Sequence, residues 1–264
     1  ISYRLVGSEM CIRDSDLGSP FEADALPDLL AFDETWVEVE TAEHAAGILT
    51  EAGWLLRHQT NRGRANRFYG AFLCAEFVPP DDALEGFDDA DPSPDLTVRA
   101  GCRDCHETLE PWAAWWGRWQ EAGNDYLSPA LYPDYRQECA ACAWEDRGCG
   151  ADGEEGCKDH YLYRITHDDE DAWAGYLNAL VYQTGTAATH PESGPATWAQ
   201  EAIDDGRLAT CTARNAGHWL LQIDRDDLDD ALVAEWAGAF TDAGYDYTAL
   251  VAAIVQSDLY RSVK

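Results

Sequence analysis

The sequence predicts a mostly α-helical fold: a helical domain around a Cys-x-x-Cys-His motif, a cysteine-rich loop insertion and a C-terminal helical module. Three observations carry that prediction. Apolar residues recur at three- and four-residue intervals in several stretches. Strand signals, alternating apolar residues rich in β-branched types, are few. The segments between the periodic stretches are rich in Asp, Gly and Pro, the composition of irregular connections.

In chain order, residues 1–15, ISYRLVGSEMCIRDS, lack the charged n-region, apolar h-region and small-residue cleavage site of a signal peptide. The string resembles a translated sequencing adapter of the kind found at the ends of metagenome-derived reading frames. It is set aside as foreign together with Met10 and Cys11, and the chain is expected to be the C-terminal part of a longer protein. Residues 16–42 then read as the tail of the missing upstream region. A helix is predicted over 43–57, where Ala45, Leu49, Ala52 and Leu56 share a face. The Pro- and Asp-rich stretch 78–96 reads as a linker. The motif-bearing domain spans 43–127, and 128–165 is the cysteine-rich insertion. The closing module, 166–264, contains predicted helices over 171–183 (Trp173, Leu177 and Leu180 aligned), 227–240 (Leu228, Leu232, Trp236 and Ala239 aligned) and 247–260. The second of these begins with acids, as a helix N-terminus prefers, and Gly244 stops it. No internal repeat is present.

Composition excludes some functions. An apolar fraction of 46% is enough for a buried core, while no apolar stretch is long and uninterrupted enough to span a bilayer. With 50 acidic against 18 basic residues, a net charge of −32, the surface repels phosphate backbones, and nucleic-acid binding is not expected. A solvated acidic surface explains the charge, with a dedicated cationic partner as the alternative.

The chemistry is concentrated in Gly101–Trp119, GCRDCHETLEPWAAWWGRW. Cys102, Cys105 and His106 match the motif that attaches a c-type haem: the two thiols add across the vinyl groups, and the adjacent histidine binds iron axially. Two other readings share the residues. A zinc site would need a second pair, which Cys139 and Cys142 can supply. A redox dithiol would need a βαβ context, which is not visible. Trp112, Trp115, Trp116 and Trp119 follow at helical spacing, either as plain core or as the aromatic wall a haem needs. No Ser-His-Asp order, phosphate-binding glycine loop or His-Glu-x-x-His is present.

The order of short motifs is similar to one family, the multidomain cytochrome-c-containing proteins of unknown function found in planctomycetes and myxobacteria. The residues that carry the resemblance are Leu49–Thr50, Arg67 to Gly70, Leu73–Cys74, Pro79–Pro80, the Cys102/Cys105/His106 motif and Glu110–Pro111. The closing pattern of Tyr247, Leu250, Val251, Ile254, Val255 and Ser257 adds to it. The resemblance covers about residues 43–126 and 207–261. The chain departs from the pattern at Arg64–Asn66, where a Ser-Pro is missing, and in the insertion at 128–160. The resemblance implies an exported protein carrying haem c, on the periplasmic or extracellular side, with no defined reaction. Electron transfer to an unidentified redox partner or to upstream domains of the same chain is one expectation. A haem enzyme with an open, peroxidase-like iron position is the alternative, and a structural zinc or disulfide module a third.

The sixth iron ligand separates the first two. Without Met10 no methionine remains, so His/Met ligation within this chain is ruled out and a lower-potential centre is favoured. The candidate histidines are His44, His58, His160, His167, His190 and His218. His58 ranks first, because it follows the Trp54–Leu56 apolar turn and lies in the segment the family pairs with the haem motif. His218, in NAGHWLL, ranks second. Disulfides persist in the implied compartment. Cys139, Cys142, Cys149 and Cys157 are expected to staple the insertion with two bridges, a four-cysteine zinc knuckle being the alternative. Cys74 and Cys211 are left to each other, a bridge expected to lock two modules together.

Overall fold

A computed structural model describes residues 44–75, 93–144, 149 and 156–262. The adapter-like stretch, the predicted upstream tail and most of the predicted linker lie outside the described residues. The fold is mostly helical, and among the described residues β-structure is limited to isolated bridges. No helix among the described residues is long and apolar enough to cross a membrane.

The chain forms two compact units. One is drawn from Ile1–Arg64 and Asp82–Ala196, the other from Ala65–Asp81 and Thr197–Lys264. These divisions do not coincide with the boundaries at 127 and 165 read from the sequence. The reason is local. The helix Asn61–Phe72 carries Phe68 and Tyr69, whose rings lie 4.4 Å and 5.3 Å from that of Trp198, and this contact groups the stretch from Ala65 onward with the C-terminal helices.

In the first unit, α1 is Ala52–Arg57 and α2 begins at Asn61 and ends at Phe72 in the second unit. The helix expected over 43–57 is therefore one and a half turns, not four. Gly47 adopts φ +54, and the Thr50 hydroxyl accepts a bond from the Ala46 N–H at 2.7 Å, so local side-chain bonding replaces helix in residues 44–51. Helix α3, Arg103–Ala113, runs from the cysteine motif into a 3₁₀ turn at Ala114–Trp116. Helices α4 (Gln137–Trp144) and α5 (Cys157–His160) frame the insertion.

No α-helix forms over 171–183. Short 3₁₀ turns at Asp168–Trp173 and Asn178–Leu180 flank a chain that bonds elsewhere: Gly175 N–H to Leu162 O at 2.7 Å, Arg136 N–H to Gly175 O at 2.8 Å, Leu177 N–H to Asp134 O at 2.8 Å. Gly175 has φ +78 and sits where a Cβ would lie 2.6 Å from the Ala140 Cβ, so only glycine allows this approach. Leu177 is buried as expected, but in a core with Leu127 and Tyr161 and not on a helix face.

Two buried arginines hold the first unit. Arg64 is wholly buried and donates to the carbonyls of Leu55, His58, Gln120 and Gly123. Arg118 donates to Tyr132 O at 2.5 Å and pairs with Asp134 and Glu192.

The second unit packs α7 (Arg207–Leu221), α8 (Asp230–Asp242) and α9 (Tyr247–Gln256) around Val233, Trp236, Phe240, Leu250 and Ile254. The kinked helix α6 (His190–Asp204) precedes them, and a short α10 (Asp258–Ser262) closes the chain. Among the acids read as a helix start, Asp229 is a cap, accepting from the N–H groups of Ala231 and Leu232 at 3.0 Å; Asp246, which the sequence reading did not single out, caps α9 by accepting from the N–H of Thr248 at 2.8 Å. The buried stripe of α8 is Val233, Trp236, Ala237 and Phe240, rotated from the predicted alignment: Leu232 and Ala239 sit at its edge. Gly217 lets α7 approach α8, since a Cβ there would meet the Trp236 ring at 2.6 Å.

Candidate functional site

Cys102 occupies the N-cap of α3, Cys105 and His106 its first turn. Both thiols are partly exposed and unpaired. The other described cysteines are bonded: Cys74 to Cys211, Cys139 to Cys157 and Cys142 to Cys149. The bridge between Cys74 and Cys211 lies within the second unit. It ties the segment just after α2 to α7. Cys139 and Cys157 are fully buried against Leu127, Tyr161 and Leu177. The four insertion cysteines pair among themselves, in two bridges. Among the described residues no three His, Cys, Asp or Glu converge to hold a metal ion.

A helix places residues four apart on one face. His106 and Glu110 use that spacing: the imidazole Nδ1–H donates to the Glu110 carboxylate at 2.5 Å. Arg62, at the start of α2, donates from Nε to the same Glu110 oxygen at 2.6 Å. The result is a chain of guanidinium, carboxylate and imidazole that fixes the ring and leaves Nε2 as its remaining nitrogen. Metal-binding histidines commonly donate their second N–H to a carboxylate in this way. Cys102, Cys105 and His106 thus share the N-terminal end of α3, with the imidazole held by Glu110. Sequence reading singled out Glu110 only as half of an acid–proline pair and did not find Arg62. The His106/Glu110 spacing was the available signal, while Arg62 is brought in by tertiary packing.

The end of α3 is also tied by side chains. Pro111 cannot continue the helical N–H ladder. The carbonyls of Glu110 and Pro111 accept from Gln183 Nε2 at 3.3 Å and His190 Nδ1 at 2.7 Å. The His190 ring stacks on Trp115, centroids 3.8 Å apart. Trp116 is fully buried and donates to Leu49 O at 3.1 Å, so Trp115 and Trp116 are core residues, and Trp112 is half-buried beside them.

The remaining histidines are dispersed. His58 caps α1, with its ring edge-on to Trp54 at 4.8 Å. His44 stacks on Tyr126 at 3.8 Å. His160 is buried beside Tyr132, and that burial holds its pKa below the ordinary histidine value against the opposing pull of Asp159. His167 caps a 3₁₀ turn, accepting from Asp169 N–H at 3.1 Å. His218, in the second unit, donates from Nδ1 to Ile223 O at 2.6 Å.

No protein-family model, curated protein or solved structure matches this chain.

Proposed function

We propose that this chain is an exported c-type haem protein that transfers electrons within a larger multidomain protein. The observation that carries the reading is the pair of unbonded thiols, Cys102 and Cys105, beside an imidazole whose Nδ1 is already held by Glu110. Cys102 and Cys105 would form the two thioether bonds. His106 would present Nε2 to iron, with Arg62 and Glu110 fixing its tautomer and ring plane. Bound haem supplies a one-electron iron couple. The hydrogen bond from Nδ1 makes the imidazole a stronger donor, which favours the oxidised metal and a lower potential.

His58 is proposed as the second axial ligand, which leaves no vacant position and makes electron transfer the natural role. Three disulfides in the same chain support export to an oxidising compartment. The acidic surface suits a redox partner with a cationic docking face. The test is expression with a periplasmic haem-maturation system, followed by a pyridine haemochrome spectrum. A c-type spectrum that disappears in the Cys102→Ala/Cys105→Ala double variant supports the reading. Purified chain with intact Cys102, Cys105 and His106 but no covalent haem overturns it.

A further inference from the structure

One oxygen of Glu110 serves two donors. His106 Nδ1 lies 2.5 Å from Oε1, and Arg62 Nε lies 2.6 Å from the same atom. His106 stands one turn earlier on α3, so the helix itself brings the imidazole to the carboxylate. Arg62 stands in the first turn of α2 and reaches Glu110 only through tertiary packing. All three side chains belong to the first unit. Gln183 and His190 bond the carbonyls of Glu110 and Pro111 at 3.3 Å and 2.7 Å, which fixes the backbone from which the carboxylate extends.

Burial and charge make this more than a surface pair. The Glu110 side chain is 17% exposed against 47% for Arg62, so their bond is less screened than one between two open side chains. Glu110 also lines an acidic cavity with Asp95, Glu121 and Asp159, and Arg62 is the only lysine or arginine among its described lining residues. A carboxylate that accepts from a metal-bound imidazole makes that imidazole a more basic ligand. A guanidinium on the same oxygen works the other way: it competes for the same lone-pair density and weakens the carboxylate's hold on the imidazole proton.

We propose that Arg62 raises the potential of the haem centre by drawing Glu110 away from His106, so that the arginine and the glutamate set the same ligand in opposite directions. This role rests on the haem c reading of Cys102, Cys105 and His106. Glu110 favours the oxidised iron, and Arg62 moderates that preference. Arg62 acts through Glu110 and is a positioning residue.

Spectroelectrochemical titration of the haem-loaded chain tests it, in low salt at about pH 8, above the ordinary carboxylate range. Arg62→Met should raise the ratio of oxidised to reduced haem at a fixed ambient potential about threefold, the scale of a partly exposed ion pair. Glu110→Gln should lower that ratio about tenfold, the scale of one hydrogen bond to a charged group and about 59 mV for a one-electron couple. The double variant should match Glu110→Gln, whereas a through-space effect of the guanidinium charge would survive in it. Arg62→Lys, which keeps the charge, should lie between the parent and Arg62→Met. Arg62→Gln gives the same comparison if Arg62→Met does not fold. An unchanged or lowered ratio in Arg62→Met, or an Arg62 effect that persists without Glu110, overturns the proposal. The haem-free chain separates that outcome from failure of the haem reading. There the His106 Nδ1–H proton resonance should move downfield in Arg62→Met, as its bond to Glu110 strengthens, and upfield in Glu110→Gln. If no haem attaches to the parent, the haem reading fails; if the resonance ignores Arg62→Met, the coupling of Arg62 to His106 fails, with or without haem.

Discussion

Replacing Arg64 by methionine keeps most of the side-chain length and removes the guanidinium. Arg64 is wholly buried, and its fork donates to five backbone carbonyls: His58 at 2.9 Å, Leu55 at 3.2 Å, Gln120 at 2.9 Å, Gly123 at 3.0 Å and, more weakly, Trp119 at 3.5 Å. A sixth bond reaches the Asn61 side chain at 2.8 Å. Burial pulls the Arg64 pKa down to about 10, with nearby Glu121 opposing, so the group is still charged at neutral pH. Methionine would leave those carbonyls facing an apolar chain. Each stranded group costs about 1–3 kcal/mol, and some will recover water, so a net loss of about 4 kcal/mol is expected. For a unit of this size, each kcal/mol lowers the melting temperature by about 2–4 °C, which makes the shift roughly 10 °C. Lysine keeps the charge but not the fork and should lose about half as much. Thermal unfolding followed by near-ultraviolet circular dichroism, disulfides intact, gives the measurement. Arg57→Met, at an exposed position in the last turn of α1, serves as control and should stay within about 0.5 kcal/mol. If Arg64→Met melts within about 2 °C of the parent, the arginine is not the pin described here.

Gly217→Ala should destabilise the second unit by about 1–3 kcal/mol, read by urea unfolding, since the added methyl meets the Trp236 ring. Cys74→Ala with Cys211→Ala should cost about 2–5 kcal/mol and speed proteolysis within the second unit, whereas an unchanged cleavage rate argues against the bridge. His160 is held neutral by burial, so its contribution to stability is fully present above the unfolded pKa of about 6.5 and is lost as pH falls through the lower folded value. The difference in melting temperature between parent and His160→Gln should therefore narrow on acidification below that point, and a pH-independent difference would count against it. In haem-loaded protein, His58→Ala should turn a low-spin ferric spectrum high-spin, with imidazole restoring it. An unaffected low-spin spectrum removes His58 as ligand and directs the search to His218.

The helical class, the acidic start of α8, the stop at Gly244 and the cysteine motif were legible in the sequence, because each depends on residues within a few positions of one another. The i, i+4 pairing of His106 with Glu110 was equally local. The segment 171–183 was not legible, since its apolar spacing suits a helix. Its backbone is taken instead by Asp134, Arg136 and Leu162, partners that no local pattern reveals, at a place where Gly175 permits close approach. The same holds for Arg64 and Arg62. Their acceptors or partner lie partly or wholly some fifty residues away in sequence, so an ordinary pair of arginines in a polar stretch becomes a buried pin and a clamp on Glu110 only after folding. The sequence by itself determined the helical class and which residues can bond covalently. Tertiary structure decided how the four insertion cysteines pair among themselves and where 171–183 departs from helix, because each depends on distances that chain order does not set.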